Sequence, residues 1–245
     1  MNTIKNQLAK FGLIISVGLI ISTYLVANVI RDVRLSHQII KVRGYAEKKV
    51  VSDYATWGIS VRTKCQKITE GYKVIEDHLA RVQKYLIEKG IKAGEIKKYS
   101  ISVEEIMKKN DKGRRTHQIE HYAMQQSIDI YTKDVQKLFK ISSEISVLLK
   151  ENIEFKSWSP KYYYSKVELL KSELLIAATK DARDRANILA EGSGVTLGYL
   201  KAARQGSFSI RPGSSTSISD DGGYTDETSI TKKITAIVTV DYSMK

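Results

Sequence analysis

The sequence predicts an α+β fold of β-β-α units carried behind one membrane-spanning helix, and three observations lead to it. Residues 11–30 contain no charged side chain. Beyond Arg31, stretches with apolar residues at every second position alternate with stretches where they recur every three or four. The strand-like stretches mostly come in pairs ahead of a helix, which is the α+β pattern.

At 1.5 Å of rise per residue, residues 11–30 cover about 30 Å, the thickness of a bilayer core. Lys5 and Lys10 precede the segment and Arg31 and Arg34 follow it, so both ends prefer headgroups or water. Only Ala27 offers a small residue for signal cleavage, and Leu25 sits badly two positions before it, which favours an uncleaved anchor over a cleaved signal peptide or a buried soluble helix. Residues 1–10 are then a short tail, 31–38 a linker and 39–245 the working domain. The flanking charges nearly balance, but the tail carries Lys5 and Lys10 without an acid, which favours a cytoplasmic N-terminus and a domain outside the cytoplasm.

Two β-rich stretches, 39–46 and 50–62, read as paired strands joined near Glu47 to Lys49, with Trp57, Ile59 and Val61 on one face. Ile68, Tyr72, Ile75, Leu79, Val82 and Leu86 form a helical stripe that Gly90 can end. Strands at 96–107 and 119–131 flank the basic turn 108–115 and make a hairpin. Thr132 can cap a second helix reaching about Lys150, with Val135, Leu138, Ser142, Ile145 and Leu149 inward. Phe155 and Trp158 begin a short strand, which Pro160 and the run Tyr162, Tyr163 and Tyr164 separate from a third helix at 166–191. The inner stripe of that helix passes from Val167, Leu170 and Leu174 to Ala178, Ala182, Ala186 and Leu189, and its alanines permit close approach to a sheet. Gly192 and Gly194 stop it. A strand at 197–208 and a mobile polar excursion at 209–229 lead to a last strand, in which Ile234, Ala236, Val238, Val240 and Tyr242 alternate. The β-β-α order occurs twice, forming a mixed or antiparallel sheet.

At 245 residues with a single Cys65, the chain excludes a disulfide-stapled scaffold and any zinc site built on several thiolates. The net charge of +13 would suit an anionic surface. Its densest run is Lys108, Lys109, Lys112, Arg114 and Arg115, read chiefly as a solvated loop; basic and aromatic residues do not interleave there as in a nucleic-acid platform.

These residues resemble the SIMPL-domain family of bacterial exported and envelope proteins. Val42 and Gly44 resemble its opening, although Ala46 stands where a second glycine is expected. Gly90 and Ile91 resemble the segment after its first helix, and Tyr122 to Ile130 the strand pair that follows. The segment AATKDARDRANILAEGSGVTLG carries Ala178, Ala182, Arg183, Ala186, Leu189, Ala190, Gly194, Leu197 and Gly198 in the family spacing, and ITAIVTVDYSM resembles the terminal strand. The resemblance implies an envelope domain that assembles into rings or channel-like oligomers in some members, with links to oxidative or other envelope stress. It implies no established catalytic residue.

No catalytic, cofactor or metal residue is therefore assigned. His117, Glu120 and His121 are spaced for one face of a helix, but four residues along a strand span about 13 Å, beyond the reach of one metal. His37 and His78 have no local partners. Gly192, Gly194 and Gly198 close a helix rather than open one, so they do not form a dinucleotide loop. Cys65 has no His nearby in sequence, and the three tyrosines read as sheet edge and core. The expected partners are the lipid bilayer through residues 11–30, a second copy of the chain and an envelope protein, with no nucleic acid. The expected location is a bacterial cytoplasmic membrane, with the domain outside. The competing expectation is a hydrolase or small-ligand-binding protein whose site forms only in the folded surface.

Overall fold

A computed structural model of the chain describes residues 16–27, 39–216 and 223–244. The expected tail 1–10, the linker 31–38 and both ends of the expected span 11–30 lie outside them. Helix α1 covers residues 16–27 and is exposed on every side. No described helix is long and apolar enough to cross a membrane.

The elements that follow are β1 (Ile39–Val51), β2 (Tyr54–Cys65), α2 (Ile68–Glu88), β3 (Ile96–Lys109), β4 (Arg115–Thr132), α3 (Val135–Glu144), β5 (Phe155–Ser157), β6 (Lys161–Tyr163), α4 (Val167–Gly192), β7 (Leu197–Gln205), β8 (Ser209–Pro212) and β9 (Thr231–Met244). The fold is α+β with antiparallel sheets, in the order β1-β9-β7 with β8 on β9, and β3-β4-β2-β5 with β6 on β2. By contacts the chain forms two compact units, the first holding residues 39–46, 171–208 and 235–244 and the second 47–170 and 209–234.

In the first unit, α4 buries Leu174, Ala178, Ala182, Ala186 and Ala190. Their small size has a direct use. A Cβ at Gly44 of β1 would collide with the Ala178 carbonyl oxygen and stand 2.6 Å from the Ala182 backbone nitrogen, so strand and helix backbones touch there. The Tyr45 backbone N–H donates to the Asp181 carboxylate at 2.8 Å, which Arg185 also binds at 2.8 Å. Ala236, Val238, Val240 and Tyr242 of β9 are buried, as their alternation requires. At the far end of α4, Gly194 adopts φ +73° while the Val195 N–H reaches the Ala190 carbonyl at 3.0 Å, a left-handed helix cap.

The second unit is built on β2, whose Ala55, Trp57, Ile59 and Val61 are buried in one core with Ile75, Leu79, Val82 and Leu86 of α2 and Ile128 and Ile130 of β4. Asp134 caps α3 by accepting the Lys137 N–H at 3.1 Å. A 3₁₀ segment, Ile145–Glu151, continues α3 and places Leu148 in the core.

Several expectations are corrected. β1 and β2 do not pair; they belong to different sheets. On α2 the buried residues include Gly71 and Tyr85, while Ile68 and Tyr72 are exposed, because a side chain at position 71 would collide with Cys65 and Met124. Ile141 and Leu148, not Ser142 and Leu149, face inward, and Ala190 rather than Leu189 completes the stripe of α4. Thr132 is not the cap: its hydroxyl accepts the Asp134 N–H at 3.1 Å and donates to Glu95 at 2.8 Å. Lys161–Tyr163 forms a strand, with Tyr162 opposite Ala55.

The polar excursion at 209–229 is hydrogen-bonded near both ends, and its residues 217–222 lie outside the described residues. The Ile210 N–H donates to the Tyr224 carbonyl at 2.7 Å, and the Asp226 N–H donates to the Ile210 carbonyl at 2.8 Å. Asp226 and Lys232 form an ion pair at 3.3 Å with both side chains 2% exposed. The Asp226 carboxylate also accepts from the hydroxyl and N–H of Thr228 and of Ser229. Burial alone would push its carboxyl up, but these donors and Lys232 hold it down to about 2. Burial in turn lowers the Lys232 ammonium despite its acidic partner.

Two outcomes follow from this packing. Gly44→Ala, which forces a side chain against helix backbone, should destabilise the full chain by about 3 kcal/mol in urea unfolding, since overpacking costs about 1–3 kcal/mol and backbone yields least. Asp226→Asn leaves the buried Lys232 ammonium with a backbone carbonyl but no carboxylate, and should lower stability at pH 7 by about 3 kcal/mol, the low end for a broken buried pair. Because the folded-state carboxyl lies below its unfolded value of about 3.9, its contribution is present above that pH and is lost as pH falls toward 2. Unfolding midpoints at pH 7 and pH 3 should therefore differ less in the variant than in the native chain.

Candidate assembly surface

Beyond the core of the second unit, β3 and β4 continue as a long two-stranded arm. Most residues from Ser102 to Lys109 and from Arg115 to Glu120 are exposed, so the ribbon meets solvent on both faces over this length. Alternation of Val103, Met107 and Ile119 with charged residues makes the strands, and Asn110 and Gly113 make the turn. The Asn110 side chain accepts the Lys112 and Arg114 N–H groups at 3.1 and 2.9 Å, while Gly113 takes φ +73°. Register shifts fall between Ile106 and Lys109, which twists the ribbon along its length.

β3 is the outermost strand of its sheet, so its outer row of backbone groups has no strand partner among the described residues. Val103 is 43% exposed and Ile119 38%. An unpaired edge with apolar residues invites pairing by another chain. The tip is strongly basic, since Lys108, Lys109, Lys112, Arg114 and Arg115 are all exposed there and repel one another.

The arm also carries the residues the sequence raised as metal ligands. His117 and His121 lie four positions apart on β4, and His121 lines a shallow cleft with Cys65, Glu70 and Glu120. Among the described residues, no three His, Cys, Asp or Glu side chains come together to hold a metal ion. The Cys65 sulfur lies 3.6 Å from Met124 Sδ and 3.8 Å from the Tyr122 carbonyl. Gly192 and Gly194 close α4, and Gly198 lies against Ser243, whose Oγ accepts the Tyr199 N–H at 3.0 Å. These glycines serve the helix end and the β7–β9 contact.

Gly44, the alanine stripe of α4, the glycine exit and the alternating last strand thus have structural work in one unit, and the chain matches the SIMPL family, a family of unknown function (DUF541), over residues 40–242. The chain belongs to the SIMPL family. No curated protein matches it. In this SIMPL chain the sequence signal accounts for the packing positions. It did not reveal the outward arm as a surface, or the buried Asp226–Lys232 pair, because neither depends on a periodic apolar pattern.

Proposed function

We propose that this SIMPL protein is a membrane-anchored, extracytoplasmic module of the bacterial envelope that works without catalysis, by self-assembly or by binding an envelope protein. The observation that carries the reading is the β3–β4 arm, an exposed ribbon whose outer β3 edge has no strand partner among the described residues. The anchor rests on residues 11–30. Their described part, 16–27, is a helix with Val17, Leu19, Ile20, Ile21, Leu25 and Val26 turned outward, a surface suited to lipid. The Thr23 hydroxyl donates to the Leu19 carbonyl at 2.8 Å, which satisfies it within the helix as a hydrocarbon setting demands. A shared membrane raises the local concentration of copies and lets a weak edge contact persist. The link to envelope or oxidative stress is an expectation from the family resemblance.

Orientation is tested with a cysteine at the exposed Ser214 in a Cys65→Ser chain. A membrane-impermeant maleimide should label it in spheroplasts before lysis, and labelling only after the membrane is opened would place the domain inside.

Assembly is tested by crosslinking full-length protein in membranes. Val103→Glu with Ile119→Lys should abolish the crosslinked species and leave the melting midpoint within about 2 °C, since surface changes fall within about 0.5 kcal/mol. A native chain that stays monomeric and captures no envelope protein would defeat the proposal.

A further inference from the structure

On the outer face of the five-stranded sheet in the second unit, Tyr99, Asp129, Tyr131 and Trp158 line an open cleft of about 560 Å³ around Gly58. Neither the core nor the arm uses it. A Cβ at Gly58 would stand 3.1 Å from Asp129 Oδ1 and 3.2 Å from Trp158 Cε3, so the glycine keeps open the gap between carboxylate and indole.

Trp158 is 45% exposed, yet its backbone is fixed on both sides. Its N–H donates to the Gly58 carbonyl at 3.2 Å, and its own carbonyl accepts the Trp57 indole N–H at 2.9 Å. That donor indole is buried in the core. Stacking on this ring therefore orders a side chain but no backbone.

Asp129 is placed just as firmly. Its Oδ2 accepts the Tyr99 hydroxyl at 2.9 Å and the Tyr131 hydroxyl at 3.2 Å. Its Oδ1 receives no hydrogen bond among the described residues and so offers an acceptor to the cleft. The Tyr131 hydroxyl and then the Asp129 carboxylate raise the Tyr99 phenol above its usual range, so it stays protonated and keeps donating.

The cleft thus holds a flat apolar plate and an oriented acceptor. Two ligand classes suit such a pair, an organic cation and a sugar ring, and the surrounding charge separates them. Lys97 Nζ lies 5.1 Å from the Tyr99 ring and Lys156 Nζ 5.1 Å from the Trp158 ring, with Lys161 also on the rim. The rings already have their cations, and a second positive group would meet the ammonium groups of Lys97 and Lys156, while Lys161 is paired with Glu227 at 2.7 Å. A pyranose has no such conflict: its C–H face covers an indole, its hydroxyls donate to a carboxylate, and lysines can donate to its oxygens.

We propose that this cleft binds a pyranose ring of an oligosaccharide, stacked on Trp158 with a ring hydroxyl donating to Asp129 Oδ1.

Full-length protein in a polyoxyethylene detergent, which has neither sugar nor ammonium headgroup, is titrated with cellohexaose, with hexagalacturonate and with tetramethylammonium while tryptophan fluorescence is read. Of the chain's two tryptophans, Trp57 is 2% exposed and Trp158 45%, so a saturable change that Trp158→Phe removes reports Trp158. At least one hexasaccharide should saturate, and Asp129→Asn should weaken it about tenfold, equal to about 1.4 kcal/mol. Trp158→Phe, read by calorimetry, should weaken it similarly with an unchanged melting midpoint. The arm variant Val103→Glu with Ile119→Lys should bind as the native chain does, so loss of assembly and loss of sugar binding remain separable. Saturation by tetramethylammonium alone, no saturation by either sugar, or sugar binding untouched by both cleft variants would overturn the proposal.

Discussion

The backbone-to-backbone contact between β1 and α4 sets the terms for the first unit. With Gly44 against Ala178 and Ala182, no side chain separates strand from helix at the point of closest approach. Everything nearby follows from that distance. The helix must present alanine at four-residue steps, from Ala178 through Ala190, and its larger apolar residues are displaced, with Ile176 and Ile188 exposed. The Tyr45 N–H is then near enough to meet Asp181. A close contact of this kind is intolerant of added volume, since interiors are packed nearly as densely as crystals.

Most of this was legible in the residues because periodicity reports which side of an element is apolar. Trp57, Ile59 and Val61 are buried together, as are Ala236, Val238, Val240 and Tyr242. Periodicity does not report which neighbour an element meets, so the alternation of β2 was right about its inner face while the pairing of β1 with β2 was wrong. Helical stripes were misplaced by one position at Tyr72, Ser142, Leu149 and Leu189. At 3.6 residues per turn adjacent positions compete for the inner face, and tertiary contact decides between them. At Gly71 the deciding contact is the pair of sulfur atoms on Cys65 and Met124.

Surface features were less legible for a different reason. The cleft joins Tyr99 of β3, Asp129 and Tyr131 of β4, Gly58 of β2 and Trp158 after β5, residues that no local spacing connects. Antiparallel register assembles them, placing Gly58 opposite Asp129 and Lys97 opposite the same residue from the other side. The arm likewise looks ordinary as sequence, because exposed charged residues in strands are common. Its character appears only when β3 is seen to be the last strand of its sheet.

The strand order also ties the two ends of the domain together in time. β9 lies between β1 and β7 in its sheet, and it follows every other described element in the chain. A ribosome therefore releases β1 long before the strand that completes its hydrogen bonding exists. Until Thr231–Met244 emerges, β1 has no β9 edge to join and β7 has lost its inner neighbour. Pairing across such a separation carries a large loop-closure cost and slows folding. A chain halted before β9 therefore cannot close the first unit, however well its earlier elements have formed.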